Sequence, residues 1–386
     1  MTSAPLQAET FDTMAALARL IPEWDALADA AGRPACLPAW QLAWWRELAP
    51  PGSLLRVVAV RADGQLVGLV PFFLEQRLGR SSHRLLGAAV THRTEPLVHP
   101  GVAAADVAAL AVAELERCDP AADVVRLEGI AADGPWPAAF DAAWPALGAP
   151  WRLVEQQQLA PSVDLSFDDL DAWLASKSSN FRQQTRRFRR RLEKEGGTVR
   201  MSSEQEVAGD LAAMLQLHHQ RWAGRGGSSL PAATEAMVRT AAEQLLPAGR
   251  LRLWVVELDG RPIGVQLFLA AGGNVLYWNG GFDESASHLK PALLGIVAGI
   301  EDSLLRDERL LDLGGGDQDY KLRLADGATP LTWTSLVPRN RRYAANRLAL
   351  APEALSLTGR RLAEQLPDPL QQPLRRVVRR YSGRRA

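Results

Sequence analysis

Cysteine is almost missing: Cys36 and Cys118 are the two in 386 residues, far apart and without metal-ligand spacing. That excludes a disulfide framework and a cysteine-based metal cluster, and it fits a reduced compartment where both thiols fill buried apolar space. Long hydrophobic runs are missing as well. The longest, Ala292 to Ile300, is broken by Gly295 and Gly299 and falls far short of the roughly 20 residues that cross a bilayer. Met1 to Ala8 has no basic segment leading into an apolar stretch, and Glu9 and Asp12 follow closely, so no secretory signal is expected. There is no Gly-x-Ser-x-Gly elbow, no Walker loop and no dinucleotide fingerprint after a strand. His218 and His219 are adjacent, so one helix cannot turn both toward one ion; no metal is expected. A cytoplasmic protein is the resulting expectation.

Net charge is also absent, with 44 Lys and Arg against 44 Asp and Glu. Its distribution is uneven. From Arg339 to Ala386 there are twelve arginines against Glu353, Glu364 and Asp368, which leaves the body acidic. In that tail Leu370, Leu374, Val377, Val378 and Tyr381 fall at helical spacing between Arg375, Arg376, Arg379 and Arg380. Such a helix can dock on the acidic body or reach an anionic polymer or membrane, which would place the protein peripherally at the inner membrane face.

What the chain does have is ordinary core material, 47% apolar and 23% charged residues, in a length that suits two to three domains of about 150 residues. It also has a repeat. Leu55–Val60, Asp63-Gly64 and Val67–Phe72 recur 196 positions later as Leu251–Val256, Asp259-Gly260 and Ile263–Phe268. Each copy is an apolar run, an Asp-Gly turn and a second run with Gly as its second residue, which is a hairpin signature. So wide a spacing implies two related domains rather than an array. The expected fold class is α/β (α+β), with boundaries at 1–160, 161–340 and a basic helical tail at 341–386.

Around the first hairpin, Trp40 and Trp44 share a helical face, for burial or, alternatively, for sugar stacking. Helical pattern also runs from Asp106 to Cys118, and strand pattern from Val124 to Glu128. After a Pro/Ala/Gly-rich passage, Val163–Leu165 reads as a strand and Asp168–Ala175 as a short acidic helix. Ser178 or Ser179 can cap a strongly basic helix, Asn180 to Glu195. A helix from Val207 to Trp222, a loop with Gly224, Gly226 and Gly227, and a helix from Thr234 to Leu246 follow.

Two segments can carry chemistry. A strand Val275–Asn279, Gly280-Gly281, a loop ending at His288-Leu289-Lys290, a helix opening at Pro291 and a strand Leu310–Leu313 form a crossover unit. The N-terminus of that helix with Lys290 could seat a pyrophosphate, although the same residues would serve an ordinary crossover. Gly314-Gly315-Gly316-Asp317-Gln318-Asp319-Tyr320-Lys321 then places two carboxylates, a phenol and an ammonium beside a glycine turn. These could supply a base, an acid and charge stabilisation, or form a turn with a helix cap. On the basic helix Arg182, Arg186 and Arg190 stack at i, i+4, a repulsion that an anion or acidic partner would relieve. With an acidic body and no interleaved aromatics, nucleic acid is not expected.

Taken together, Asn180-Phe181-Arg182, Arg186-Arg187, Arg190–Glu193, Leu217-His218 with Arg221-Trp222, Val256–Gly260, and Asp312–Asp317 with Tyr320-Lys321 resemble the GNAT-superfamily acetyltransferases. Within them, the chain is similar to the branch with the BioF2-like acetyltransferase domain, which includes the CelD-type cellulose-biosynthesis proteins. More distantly it is similar to the Fem peptidyltransferases, built from two GNAT-like domains. The resemblance spans about Trp40 to Val337 and implies tandem GNAT domains. It further implies that the strands at 275–279 and 310–313 splay to admit acetyl-CoA or another acyl-CoA. Gly280, Gly281, His288, Lys290, Ala292, Gly314 and Gly315 would hold this co-substrate, with its pyrophosphate on the Pro291 helix. Where GNAT enzymes carry Gln or Arg and spaced glycines, this chain has Ser287 to Ala292, a departure. Tyr320 stands where a GNAT tyrosine protonates the leaving thiolate; Asp317 or Asp319 would take the ammonium proton, and Lys321 would stabilise charge. Arg182, Arg186, Arg221 and Trp222 would contact the substrate, an amine, by family analogy on a cell-envelope sugar precursor. A Fem-like aminoacyl transfer from aminoacyl-tRNA and a non-catalytic role in polysaccharide biosynthesis are the alternatives.

Overall fold

The two Asp-Gly hairpins organise two copies of one strand and helix pattern. In the computed structural model, residues 5–364 are described apart from 78, 145, 224–229 and 231–232. The first copy runs β1 (Gln7–Phe11), α1 (Met14–Leu17), α2 (Ile21–Ala30), α3 (Pro38–Leu48), β2 (Leu54–Ala62), β3 (Gln65–Arg77), β4 (Arg80–Leu85), β5 (Leu97–Val98), α4 (Ala104–Arg117), β6 (Val124–Ala131), α5 (Pro135–Asp141) and β7 (Trp151–Asp164). Helices α6 (Leu170–Ser176) and α7 (Ser179–Lys194) lead to the second. That copy runs β8 (Thr198–Met201), α8 (Val207–Trp222), α9 (Thr234–Leu245), β9 (Leu251–Leu258), β10 (Arg261–Ala271), β11 (Asn274–Phe282), α10 (Pro291–Leu305), β12 (Leu310–Asp312), α11 (Asp319–Leu324) and β13 (Gly327–Val337), before α12 (Tyr343–Glu364).

Both turns take positive φ at both central residues, at Asp63 and Gly64 and again at Asp259 and Gly260, the geometry that suits a right-handed hairpin twist. The repeated glycines at 68 and 264 have a packing reason. A Cβ on Gly68 would fall 2.7 Å from Val107, and one on Gly264 would fall 2.8 Å from Pro291, so each lets its crossover helix lie directly on the hairpin.

All strands join one sheet, in the order β1-β2-β3-β4-β6-β13-β7-β12-β11-β10-β9-β8, with β5 beside β3. The pairs β4/β6 and β11/β12 are parallel. The copies exchange their last strands: β13 pairs with β6 of the first copy, β7 pairs with β12 of the second, and β7 and β13 pair with each other. The expected boundary at residue 160 therefore falls inside β7. One face of the sheet carries a core shared by both copies, in which Trp24, Trp40 and Trp44 are buried with Met214, Met237 and Leu253. Burial is thus the role of Trp40 and Trp44. On the other face α4 and α5 cover the first copy, and α6 and α10 the second.

A difference between the copies positions the site. In the second copy β11 runs as one strand beside β10, with a single-residue bulge at Trp278, Phe268 opposite Tyr277 and Gly264 opposite Phe282. In the first, Phe72 faces Leu85 on β4 but Gly68 faces Val98 on β5. The corresponding strand is split, and residues 86–96 leave the sheet between its two parts.

The basic helix begins with Ser178 accepting from Phe181 N–H. Cys36 is fully buried, but Cys118 is half-buried rather than enclosed. Gly224, Gly226, Gly227 and the tail residues Leu370 to Tyr381 lie outside the described residues. Among the described residues, no helix is long and apolar enough to cross a membrane.

Candidate active site

Strands β11 and β12 pair over three positions, Asn274 with Leu310, Val275 with Leu311 and Leu276 with Asp312. Then β12 stops while β11 continues to Phe282. Gly314 and Gly316, at φ 72° and 120°, turn the chain aside with backbone angles that other residues rarely adopt. Between the diverging segments lies a cavity of ≈ 560 Å³ bounded by Tyr277, Trp278, Gly314, Gly315, Tyr320 and Lys321, by His218, Arg221 and Trp222 of α8, and by Ala89 to His92. A second cavity of ≈ 200 Å³ shares Arg221, Tyr277, Gly280 and Tyr320 with the first and extends to Ser287, Lys290, Pro291 and Ala292. The two form one cleft whose parts meet at Tyr320.

The far end of the cleft is the start of α10. Lys290 caps this helix in the left-handed region without a side-chain hydrogen bond, and Pro291 has no N–H. Leu294 N–H is the first to close onto the helix, on Lys290 O. Among the described residues the N–H groups of Ala292 and Leu293 have no partner, and they stand at the positive end of the dipole, a seat for an anion.

At the junction, Tyr277 donates to Gln266 Oε1 at 2.8 Å, and Gln266 is fully buried. Tyr320 is 37% exposed as a residue, yet burial of its hydroxyl end raises its phenol pKa, against the opposing charge of Arg221. It is an acid holding its proton at neutral pH. The Arg221 guanidinium lies 4.5 Å from the centre of the Phe282 ring, a cation–π contact. Lys321 Nζ donates to Gly314 O and Gly315 O; burial lowers its pKa to about 8, opposed by Asp312.

Beneath the cleft is a buried ion network. Asp312, the last residue of β12, accepts from Gly314 N–H at 2.8 Å and pairs with Arg93 Nε at 2.9 Å. Arg93 also faces Glu95, which faces Arg33. Burial raises the Asp312 carboxyl above its ordinary range, while Arg93 and the Gly314 N–H oppose the shift.

The structure brings Tyr320, Lys321, Gly280, Gly314, Gly315, Arg221, Trp222, Lys290 and Ala292 to the cleft. Other expected site residues lie elsewhere. Asp317 and Asp319 are exposed and do not line it; Asp319 instead opens α11. Gly280 and Gly281 are inside β11 rather than after it, opposite Gln266 and Val265. A Cβ on Gly281 would fall 2.3 Å from Met214 O, so that glycine admits α8. His288 turns to Glu195 Oε2 at 3.4 Å. Arg182 donates to Ala175 O, and Arg186 pairs with Asp171, both on the outer surface of α7. His92, Tyr277, Gln266, Trp278 and the Arg93–Asp312 pair escaped sequence reasoning. The clue was the mismatch between the repeats: residues 86–96 have no counterpart in the second hairpin.

Residues 179–322 match the family model described as an acetyltransferase (GNAT) domain. No curated protein matches the chain. Among solved structures, FemX is similar at TM-score 0.60 and 14% identity, over 87% of this chain and 99% of that one. The C-terminal (DUF2156) domain of a putative lysylphosphatidylglycerol synthetase from Agrobacterium fabrum is similar at TM-score 0.52 and 12% identity, over 86% and 95%. A conserved protein of unknown function from Bacteroides thetaiotaomicron is similar at TM-score 0.52 and 9% identity, over 86% and 100%. The fold is therefore that of the GNAT acyltransferases, in the tandem, Fem-like arrangement.

Proposed function

We propose that this protein transfers an acyl group, acetyl in the simplest case, from acyl-CoA to an amine of a small molecule or cell-envelope sugar precursor. The observation that carries the reading is the two-part cleft meeting at Tyr320. One part ends at an open helix N-terminus with Lys290, suited to a pyrophosphate, and is lined with apolar residues such as Leu293 and Ile296 that suit a pantetheine chain. The other is wider, polar and aromatic, suited to an acceptor. In this reading the amine attacks the thioester carbonyl carbon, Tyr320 hands its proton to the departing thiolate, and Lys321 keeps the glycine turn in place through its bonds to Gly314 O and Gly315 O.

A Fem-like aminoacyl transfer is the second reading. It is favoured by Ser287 to Ala292, which lack the spaced glycines of a GNAT phosphate loop. Calorimetry with acetyl-CoA and, separately, with aminoacyl-tRNA separates the two: saturable binding of acetyl-CoA is expected. Binding of aminoacyl-tRNA alone would replace the first reading with the second.

A further inference from the structure

The residues that could remove a proton from an amine in this cleft are few. Tyr320 holds its own proton, and Lys321 donates to two carbonyls. His218 places Nδ1 on Gly280 O and makes a side-chain hydrogen bond to Asn279. Asp317 and Asp319 are outside. His92 lines the cavity and makes no hydrogen bond among the described residues. It comes from residues 86–96, the segment that leaves the first copy's sheet.

Its position is held from both sides. Thr91 Oγ1 accepts from the indoles of Trp40 and Trp278, at 3.0 and 3.1 Å, and Trp278 also donates to Val90 O. On the other side Arg93 is tied to Asp312, and its N–H donates to Gly129 O. Between these anchors the His92 ring meets Trp333 edge-on at 5.2 Å. Its Nδ1 lies so near the glycine turn that a Cβ on Gly315 would fall 2.7 Å from it.

We propose that His92 is the general base of the transfer, supplied by the first copy to a cleft built by the second. The assignment rests on the acyltransferase reading above. The amine nitrogen attacks the thioester carbonyl carbon, so that a C–N bond forms and the C–S bond breaks. The proton lost from nitrogen passes to the free imidazole nitrogen, and the thiolate takes its proton from Tyr320. Burial, with the nearby Lys321 charge, keeps the imidazole pKa below its ordinary 6.5, so the ring is neutral at pH 7 and has a lone pair to offer. The first copy thereby acts as a wall and a base rather than as a second donor site.

The test is thiol release from acetyl-CoA by the full chain, with glucosamine as acceptor and with water alone, since attack by water also needs a base. His92→Asn is expected to lower the rate by about 10²- to 10⁴-fold while calorimetric binding of acetyl-CoA is unchanged. Added imidazole is expected to restore part of the rate to His92→Ala, which a purely structural loss would not allow. A wild-type rate in His92→Asn overturns the assignment and leaves the donor reading standing. So does the absence of imidazole rescue while acetyl-CoA still binds, or a wild type that binds acetyl-CoA and releases no thiol above buffer with either acceptor. Failure of the wild type to bind acetyl-CoA brings down the donor reading, and this assignment with it.

Discussion

Tyr320 and Lys290 both line the smaller part of the cleft, and their substitutions should fail differently. Tyr320→Phe keeps the ring and removes the hydroxyl alone. With a general acid worth about 10²- to 10⁴-fold, kcat should fall within that range while KM for acetyl-CoA and the urea midpoint barely move. Thiolate is a good leaving group, so the lower end is expected. Full turnover in the variant would show that another group, or water, protonates the thiolate. Among the described residues Lys290 makes no side-chain hydrogen bond, and it is exposed, so reversing its charge should spare the fold. Lys290→Glu should weaken CoA binding by about 1–3 kcal/mol, the range for a charge-assisted hydrogen bond. Titration calorimetry measures it directly, and unchanged affinity would remove the α10 terminus as the pyrophosphate seat.

At the scale of elements, the cleft depends on how closely α8 approaches β11. Met214 O and His218 N would lie 2.3 and 2.6 Å from a Cβ on Gly281, and backbone atoms of a packed helix cannot step aside as a flexible side chain would. Gly281→Ala should therefore push α8 outward with His218, Arg221 and Trp222, costing about 1–3 kcal/mol by overpacking and most of the activity. A urea midpoint equal to wild type would mean that the helix yields freely. Elements with strong local signals were legible in the sequence. The hairpins follow from alternating runs around Asp-Gly, α8 from Leu211, Leu215 and Trp222 at helical spacing, and α7 from its Ser178 cap. Strand β7 was not legible before Val163, because it lies between β12 and β13 and carries Glu155 and three glutamines where a strand signal would need apolar alternation. The cleft was legible where glycines and a polar cluster coincide, at Gly314 to Lys321. Its other wall comes from a segment more than two hundred residues earlier, which no local pattern could connect to it.

The exchange of β7 and β13 makes the molecule one sheet, and the ion pair Arg93–Asp312 fastens the excursion of one copy to the splayed strand of the other. Such a pair need not add net stability, but removing one partner strands a buried charge, at about 3–5 kcal/mol. Arg93→Met should show that cost with a distinctive pH dependence. Burial already raises the Asp312 carboxyl above its ordinary 3.8, and losing the guanidinium raises it further. Over the interval between the unfolded and folded values, the native state then binds a proton that the unfolded chain does not, so stability falls as pH rises through it. The penalty should accordingly be smallest near pH 4 and reach its full size above the folded pKa. Asp312→Asn, which has no carboxyl to titrate there, should lack this slope. The double variant should cost less than the sum of the single ones, with a coupling of about 0.5–3 kcal/mol for groups in contact. Urea unfolding of the three variants at pH 5 and pH 8 measures all of this. Strict additivity with a flat pH profile would mean that the two copies are held together by the shared apolar core and the exchanged strands, with the charges contributing placement of His92 and little stability.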